Sequence, residues 1–321
     1  MFSKEKEEEI LRAANLLKQE ELVAIPTETV YGLAANAFSD KAVMKIFEVK
    51  NRPQINPLII HIKGVEVLES VAKNIPIAAY RLANHYWPGP LTLVLDKRDC
   101  ISSIITANKS TVGVRVPNHK VTLDLLNKLD FPLVAPSANR SNHISPTKPE
   151  HVKSSLGKAS PYILDGGTCK EGLESTILGF NGSDVFLYRH GIITKEAIEA
   201  FLGSAITEKG NVISPESPGM FLKHYAPKTN LLLSIDLVQE TQKYKNKKIG
   251  FLCFENFVEG YSKDLQRVLS DHGNLVQAAS NLYSMLHELD ALGLDLIIAE
   301  TAPDNGIGVA INDKLKRASK K

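Results

Sequence analysis

The stretch KNRPQINPLIIHI, residues 50–62, places two cations and two prolines directly before an apolar segment. Val43, Ile46 and Phe47 precede it at helical spacing, and NPLIIHI is typical of a buried strand. The stretch therefore predicts a helix, a short restricted loop and a strand in succession. Because α/β proteins place ligand groups at strand ends and in the adjoining loops, Lys50 and Arg52 become candidate site residues.

The same alternation of helices and strands extends outward in both directions. Amphipathic helices are predicted over residues 5–20 and in HKVTLDLLNKL. Short strands are predicted in ELVAI, GPLTLVLDK, TVGVRVP, FPLVAPSAN, YILDGG, ESTILGF and DVFLYRHG. So many short strands interleaved with helices indicate one α/β or α+β domain over residues 1–205.

A second alternation follows near the C-terminus. Strands are predicted in NLLLSI, KIGFLCF and LDLIIAE, with a long helix over 275–289 between the last two. This pattern predicts a smaller, Rossmann-like parallel α/β domain over residues 230–321. Residues 206–229, with three prolines, are predicted to be a linker, yet this segment also carries Met220, Phe221, His224 and Tyr225.

Composition narrows the class of protein. The 321 residues are 43% hydrophobic and 23% charged, with a net charge of +2, which gives no global case for nucleic-acid or membrane binding. The three cysteines fit neither a zinc spacing nor a disulfide framework. The charged N-terminus and the lack of any apolar run near ~18 residues predict a cytoplasmic protein without a signal peptide or membrane span.

The usual nucleotide and hydrolase motifs are missing. The sequence has no phosphate-binding G-x-x-x-x-G-K-[ST], no H-E-x-x-H and no G-x-S-x-G. GIGVAI at 306–311 lacks the third glycine of a dinucleotide fingerprint. A nucleotide would therefore have to bind at a site that uses none of these motifs.

Four stretches carry polar or cationic groups at predicted strand ends beside Pro or Gly: PTETVYG (26–32), KNRPQINPLIIHI (50–62), VGVRVP (112–117) and APSANRSNHISPT (135–147). Lys50 and Arg52 suit the oxygens of a polyphosphate. Arg115, inside an apolar strand, needs an anionic ligand or a structural Asp or Glu. Each stretch also has a structural explanation, such as solvated cations, a core His61 or a turn capped by Ser137 and Asn139. Together they favour a shared anion pocket.

A resemblance extends this interpretation. IPTETVYGLAANA, KNRPQINPLIIHI, WPGPLTLVL, VGVRVPNH, PLVAPSANRSNHISPT, LESTIL and YRHG occur in this order. Together they resemble the YrdC-like domain of the L-threonylcarbamoyladenylate synthase family, over about residues 10–205. SPGMFLKHYAPKT and the C-terminal GLDLIIAETAPDNGIGVAINDKLKRAS are similar to members with an appended domain. The implied fold is a twisted mixed-sheet α/β domain with a concave pocket, followed by the smaller parallel domain.

The resemblance also implies a reaction. L-Threonine, bicarbonate or carbon dioxide, and ATP would give threonylcarbamoyl-AMP and pyrophosphate, the first step in threonylcarbamoyl-adenosine modification of tRNA beside the anticodon. A separate transferase would complete the modification, and weak contact of this chain with tRNA is an open expectation. Magnesium is expected with ATP, held mainly by phosphates and water, because no carboxylate cluster identifies protein ligands.

Residue by residue, the resemblance implies three groups. The catalytic group is Lys50, Arg52, Ser137 and Asn139. The ATP-binding group is Arg52, Asn56, Thr111, Ser137, Ser145, Arg189, His224 and Tyr225. The threonine-binding group is Thr29, His61, Arg115, Ala135 and Ser175. The aromatic content of the linker further predicts that His224 and Tyr225 fold over the pocket and exclude water from a labile carbamate.

Two alternatives remain at this point. One is a double-stranded RNA or tRNA-binding module without catalysis, using basic clusters such as YKNKK (244–248) and KLKRASKK (314–321). The other is a carbamoyl-transfer protein of hydrogenase maturation, but such proteins are much longer and carry cysteine motifs that three scattered cysteines do not provide. ATP turnover that requires threonine and bicarbonate would separate these classes.

Overall fold

The computed structural model describes residues 2–209 and 224–320, so Met220 and Phe221 of the predicted linker lie outside the described residues. The helices are α1 (Lys4–Lys18), α2 (Asp40–Lys50), α3 (Ile77–Tyr86), α4 (Ser103–Thr106), α5 (Lys120–Asn127), α6 (Pro149–Leu156), α7 (Lys195–Leu202), α8 (Leu237–Thr241), α9 (Leu275–Asp290) and α10 (Ile307–Ala318). Short 3-10 turns are Val65–Ser70, Gly157–Ala159, Gln242–Tyr244 and Lys263–Leu265.

The strands belong to two sheets. Those of the first are β1 (Val23–Ile25), β2 (Gly32–Asn36), β3 (Ile59–His61), β4 (Ala72–Lys73), β5 (Leu91–Lys97), β6 (Thr111–Arg115), β7 (Leu133–Val134), β8 (Tyr162–Ile163), β9 (Thr176–Asn181), β10 (Asp184–Arg189) and β11 (Thr207–Glu208). Those of the second are β12 (Leu231–Ser234), β13 (Ile249–Cys253), β14 (Gln266–Val268) and β15 (Leu296–Glu300).

The large sheet is mixed, with the strand order β11-β10-β9-β5-β6-β3-β7-β2-β1-β8 and β4 beside β5. Strands β3 and β6 pair in parallel, as do β5 and β9, whereas β5 and β6 are antiparallel. The edge strand β11 pairs with β10, so the chain stays with this sheet until at least Glu208.

Helices cover both faces of this sheet because consecutive strand residues point to opposite sides. Val23 and Ile25 of β1 pack with Ile10 and Leu17 of α1. Ala24, between them in sequence, belongs to the core on the other face, together with buried residues of α2 such as Val43, Ile46 and Phe47. The helical spacing seen in the sequence therefore corresponds to these two buried layers.

The second sheet is parallel throughout, in the order β12-β15-β13-β14. Its buried residues again alternate: Leu252 and Ile297 pack against α9 and α10, whereas Phe251 and Ile298 pack with Leu237 of α8. A mixed-sheet α/β unit followed by a small parallel one confirms the predicted fold class. Across the part of the chain that the structure describes, no helix is both long and apolar enough to cross a membrane.

The two units share a buried contact. Val30, Ile144 and Leu173 belong to the apolar cluster of the C-terminal unit, together with Leu282 and Leu286 of α9. The same helix approaches the first unit so closely that a Cβ added at Gly172, which has φ +73°, would lie 2.4 Å from the Ser280 carbonyl oxygen. Only glycine is therefore accommodated without rearrangement at that point of the interface.

Two histidines stack across this interface. The rings of His151 in α6 and His287 in α9 have centroids 4.0 Å apart and an interplanar angle of 23°. Burial lowers the pKa of His151 from 6.5 to about 3, and proximity to His287 and Lys148 acts in the same direction. Because the unfolded chain then binds more protons below pH 6.5, stability is lost as the pH falls from about 6.5 towards 3.

Replacing His151 with glutamine should therefore make the protein less sensitive to acid. At pH 5 a histidine held neutral in this way costs up to about 2 kcal/mol of unfolding free energy relative to neutral pH. Urea unfolding at pH 7.5 and pH 5 should show that His151→Gln loses less stability than the parent. His272→Gln is the control, since that side chain is 86% exposed. Equal acid losses in His151→Gln and the parent would contradict the prediction.

Candidate active site

The ends of β3 and β6 bring His61 and Arg115 together. These two residues are register partners on adjacent parallel strands, and each is the last residue of its strand. The antiparallel β7 lies on the other side of β3 and leads directly into Ala135, whose amide donates to the carbonyl of Ile59 at 3.2 Å. Ala135 then lies beside Ile59, two residues before His61 in β3, so three adjacent strands bring predicted site residues within a short stretch of the sheet.

The loop between β1 and β2 supplies Thr29. The Thr27 hydroxyl accepts hydrogen bonds from the amides of Thr29 and Val30, donates to the Val30 carbonyl at 2.6 Å, and lies 2.8 Å from the Thr29 hydroxyl. A hydroxyl that satisfies its own turn in this way fixes the local backbone. Thr27 therefore holds Thr29 in place. At the end of the same loop, Gly32 forms an antiparallel β-bridge with Ser137.

Ser175 and Arg189 form the opposite wall. Arg189 donates through Nε to the Ser175 carbonyl at 3.1 Å and through a terminal nitrogen to the Ser175 hydroxyl at 3.0 Å. The Ser175 hydroxyl also lies 2.7 Å from the Thr92 hydroxyl. A Cβ added at Gly191 would lie 2.4 Å from the Thr176 amide nitrogen, so glycine lets the end of β10 approach this wall.

Arg115 has a structural acidic partner. One of its terminal nitrogens, Nη2, lies 2.7 Å from Glu28 Oε1 and donates to the Thr29 hydroxyl at 3.1 Å, while Nε donates to the Gly89 carbonyl. Both charged side chains are buried. The pairing compensates the buried charge and leaves Nη1 as the nitrogen that could donate to a ligand.

Arg52 binds its own loop. Its guanidinium donates to the carbonyls of Asn56 and Pro57 at 3.2 and 2.9 Å, so the proline-bracketed loop wraps around it. Burial lowers the pKa of Arg52 to about 9, Tyr225 opposes this shift, and the nearby Arg189 lowers the pKa further by a smaller amount. Cations brought together out of water are stabilised by an anion, which is the ligand this part of the cavity favours.

Lys50 lies behind the cavity wall. Its Nζ donates to the backbone carbonyl of Ser137, to that of Asn139 at 2.6 Å, and more weakly to Asn139 Oδ1 at 3.5 Å. Burial lowers the pKa of Lys50, and proximity to Arg52 lowers it further. The Asn139 amide donates to the carbonyls of Arg140 and His143. Lys50 and Asn139 thus shape the turn that presents Ser137.

His224 and Tyr225 close the cavity from the C-terminal side. Their rings meet edge to face with centroids 4.0 Å apart, and both residues are buried. Tyr225 has φ +62°, the left-handed region that a non-glycine residue adopts only at a cost. Burial lowers the pKa of His224 and raises that of Tyr225, so both are neutral at pH 7. Two neutral rings, the second on a strained backbone, can exclude water from the cavity without adding charge.

Several of these groups hold buried polar atoms without a hydrogen-bond partner among the described residues. Four such atoms belong to predicted site residues: Asn56 Oδ1, His61 Nδ1, His224 Nδ1 and the Tyr225 hydroxyl. Buried polar atoms are nearly always paired in folded proteins. Their concentration around one cavity indicates that a polar ligand supplies the missing partners.

The structure therefore groups most, but not all, of the predicted site residues. Ten line one cavity: Thr29, Arg52, His61, Arg115, Ala135, Ser137, Ser175, Arg189, His224 and Tyr225. Lys50, Asn56, Asn139 and Ser145 are buried outside the lining set. Thr111 begins β6, four residues from Arg115, which places it about 13 Å away along the strand and outside the cavity.

Sequence reasoning did not assign some lining residues: Thr27, Val30, Gly32, Ile59, Pro136 and Glu174. Thr27 and Glu174 stand inside motifs that were already singled out, PTETVYG and LESTIL. A polar residue within two positions of an assigned one in such a motif is a usable signal. The apolar members carry no such signal because they resemble ordinary strand residues.

Comparison with known proteins decides the family. A family model described as "Telomere recombination" matches residues 15–191, and one described as "Threonylcarbamoyl-AMP synthase, C-terminal domain" matches residues 193–320. A threonylcarbamoyl-AMP synthase of Bacillus subtilis is 41% identical over 97% of this chain and 93% of that protein. The chain belongs to the threonylcarbamoyl-AMP synthase family.

Other relatives of this family agree along nearly the whole chain. The threonylcarbamoyl-AMP synthase of Pyrococcus abyssi is 38% identical over 96% of this chain and 93% of that protein. The crystal structure of P. abyssi Sua5 complexed with L-threonine superposes with a TM-score of 0.90 at 38% identity, covering 97% of this chain and 94% of that one. The chain is thus an enzyme of the threonylcarbamoyl-AMP synthase family in its two-domain form, as the sequence motifs predicted.

Proposed function

We propose that this chain makes threonylcarbamoyl-AMP from L-threonine, bicarbonate or carbon dioxide, and ATP, releasing pyrophosphate. The observation that carries the proposal is a cavity lined by three arginines, with partnerless buried polar atoms on the residues around it, in a member of this family. Such a cavity suits a substrate with phosphate and carboxylate groups. A relative crystallised with L-threonine supports the amino-acid part of the proposal.

Threonine is proposed to occupy the side formed by Thr29, His61, Arg115 and Ser175. Its carboxylate would accept from the remaining terminal nitrogen of Arg115, because Glu28 and Thr29 occupy the other one. Burial lowers the pKa of His61 to about 3, and Arg115 acts in the same direction. The imidazole is therefore neutral at pH 7 and adds no positive charge that would compete with the incoming substrate amine.

The chemistry requires no protein nucleophile. The neutral threonine amine forms a bond to the carbon of carbon dioxide, one C=O π pair moves to oxygen, and the nitrogen releases a proton to solvent, giving a carbamate. With bicarbonate, the same bond forms as a C–O bond breaks and water leaves. A carbamate oxygen then attacks the α-phosphorus, and the bond between that phosphorus and the bridging oxygen to the β-phosphate breaks. Pyrophosphate leaves with the electron pair. Arg52 and Arg189 are proposed to neutralise phosphate charge, with Ser137, Asn56 and Ser145 on the nucleotide side.

Magnesium is proposed to arrive with the triphosphate. Among the described residues no group of three or more His, Cys, Asp or Glu side chains could hold a metal ion. The residues present therefore do not form a metal site of their own, and phosphates and water would supply the ligands. No step assigned here to the protein depends on the ion.

A pyrophosphate-release assay with each substrate omitted in turn tests the proposal. The complete mixture should release pyrophosphate steadily, and omission of threonine, or of bicarbonate in degassed buffer, should reduce release to background. Mass spectrometry should identify threonylcarbamoyl-AMP in the complete mixture alone. Arg52→Ala should abolish release, whereas Arg98→Ala, a change at an exposed arginine, should not. Release that does not depend on threonine would contradict the proposal.

The same assay separates the remaining alternative. A protein that acts only as an RNA-binding module would release no pyrophosphate in any mixture. If threonylcarbamoyl-AMP is made, we propose that it passes to a separate transferase, which places the threonylcarbamoyl group on tRNA. Adding that transferase and tRNA should consume the product without changing the dependence of pyrophosphate release on threonine.

A further inference from the structure

Glu174 is a buried carboxylate on the wall of a cavity that otherwise presents cations. It is only 6% exposed and lines the cavity beside Ser175 and Arg189. The reaction proposed above gives it no role. A negative charge at this place would repel an incoming triphosphate unless its orientation were controlled, so the partners of Glu174 matter.

Both carboxylate oxygens accept from hydroxyl groups, and the two hydroxyls come from different units. Ser145 donates to Oε1 at 2.6 Å, and Tyr283 of helix α9 in the C-terminal unit donates to Oε2 at 2.8 Å. Hydrogen bonds to an ionised acceptor are the stronger kind and fix its orientation. Glu174 is therefore held from both sides, one of which lies outside the catalytic unit.

Tyr283 also contacts the residue that closes the cavity. Its ring stacks on that of Tyr225 with centroids 5.6 Å apart and an interplanar angle of 28°. The Lys314 ammonium lies over the other ring, 5.7 Å from the Tyr225 ring centroid, and donates to the His190 carbonyl at 2.7 Å. One side chain of the C-terminal unit thus touches both the acidic wall and the aromatic closure.

The segment that carries Glu174 is fixed against the same helix. The Ser280 hydroxyl donates to the Lys170 carbonyl at 2.8 Å, and Gly172 lies directly on the α9 backbone. The Glu171 amide donates to the carbonyl of Glu28 at 2.7 Å, one residue before Thr29. Helix α9 is thereby connected to both walls of the cavity through residues 170–174.

From these contacts we propose that Tyr283 is a positioning residue: its hydroxyl holds the Glu174 carboxylate away from the phosphates while its ring supports Tyr225. The C-terminal unit then completes the nucleotide side of the site. The proposal deepens the function proposed above and rests on it. Without the hydroxyl, the carboxylate is free to turn towards the anion-binding arginines, and Ser145 loses a fixed partner.

Tyr283→Phe tests this, since it removes one oxygen and keeps the ring. The KM for ATP should rise about 10-fold, as expected for a lost hydrogen bond to a charged group, with kcat and the KM for threonine within about threefold. Tyr261→Phe, in the same unit and remote from the cavity, is the matched control and should match the parent. An unchanged KM for ATP in Tyr283→Phe would overturn the proposal, as would equal changes in both KM values.

A second variant separates positioning from a general loss of structure. In a Glu174→Gln background, whose side chain has no charge to misplace, adding Tyr283→Phe should change the KM for ATP by less than about twofold. Full additivity of the two changes would overturn the proposal. If the parent released no pyrophosphate, the proposed function would fail. Calorimetric binding of a non-hydrolysable ATP analogue would then decide this inference: weaker binding by Tyr283→Phe supports it, and equal binding overturns it.

Discussion

Replacing Lys50 with methionine is expected to lower kcat/KM for ATP by about 100-fold or more, although the side chain does not line the cavity. Its Nζ holds the carbonyls of Ser137 and Asn139, which lie on the turn that presents Ser137. Methionine fills a similar volume but donates no hydrogen bond. The two carbonyls would lose their buried donor, at about 1–3 kcal/mol each, and the turn would shift to find new partners.

Lys45→Met is the matched control for this change. Lys45 lies on the same helix α2, but its Nζ contacts the Glu20 carbonyl at 2.9 Å and the Glu21 carboxylate at 2.7 Å near the surface. Surface ion pairs of this kind contribute about 0–1 kcal/mol, so activity should stay within about twofold. Steady-state pyrophosphate release measures both variants, and thermal melting verifies that each is folded. Parent-like activity in folded Lys50→Met would show that the turn does not depend on the ammonium.

The second large effect is expected at the buried ion pair. Arg115→Ala should destabilise the protein by about 3–5 kcal/mol, because Glu28 would remain buried without its cation. The same variant should lose threonine-dependent pyrophosphate release, since the group proposed to bind the substrate carboxylate is gone. Urea unfolding measures the first effect, and the pyrophosphate assay measures the second.

A double variant distinguishes the two roles of Arg115. Combining Arg115→Met with Glu28→Gln removes both charges, and replacing a buried pair with neutral groups is often close to neutral for stability. We expect the double variant to recover most of the unfolding free energy lost in Arg115→Ala and none of the threonine-dependent activity. Recovery of both would show that Arg115 serves only the fold, and recovery of neither would show that Glu28 has a role beyond charge compensation.

The local sequence pattern was sufficient to predict the fold class, because the apolar residues at helical or strand spacing are the ones that the structure buries. The strand predicted in KIGFLCF is β13, and the helix predicted over 275–289 is α9. The strand predicted in FPLVAPSAN is shorter as a continuous ladder: β7 is Leu133–Val134, Pro136 has no amide proton to donate, and one further bridge joins Ser137 to Gly32 in the same register. The predicted strand type was therefore correct, and the proline that interrupts the ladder lies within the same stretch of sequence.

The site was harder to predict because it depends on which way side chains point. The sequence indicated cations at Lys50 and Arg52. It did not indicate that the Lys50 ammonium would donate to the backbone carbonyls of the turn at Ser137 and Asn139. A signal was present: Lys50 lies seven residues after Val43, on the same face of α2 as the buried residues. The pairing of Glu28 with Arg115 joins positions far apart in the chain, so no local pattern could have selected it over a ligand.

The register of β3 and β6 has a consequence for engineering. His61 and Arg115 stand on adjacent paired strands, so main-chain hydrogen bonds set the separation of their backbones at about 4.8 Å. That spacing cannot widen to accept a larger amino acid without unpairing the sheet. A variant designed for a different amino acid would therefore have to gain room from trimmed side chains such as Ile59, with the pairing left untouched. At the proposed threonine site, the preference for an amino acid is thus open to redesign through the lining side chains but not through the strand pairing.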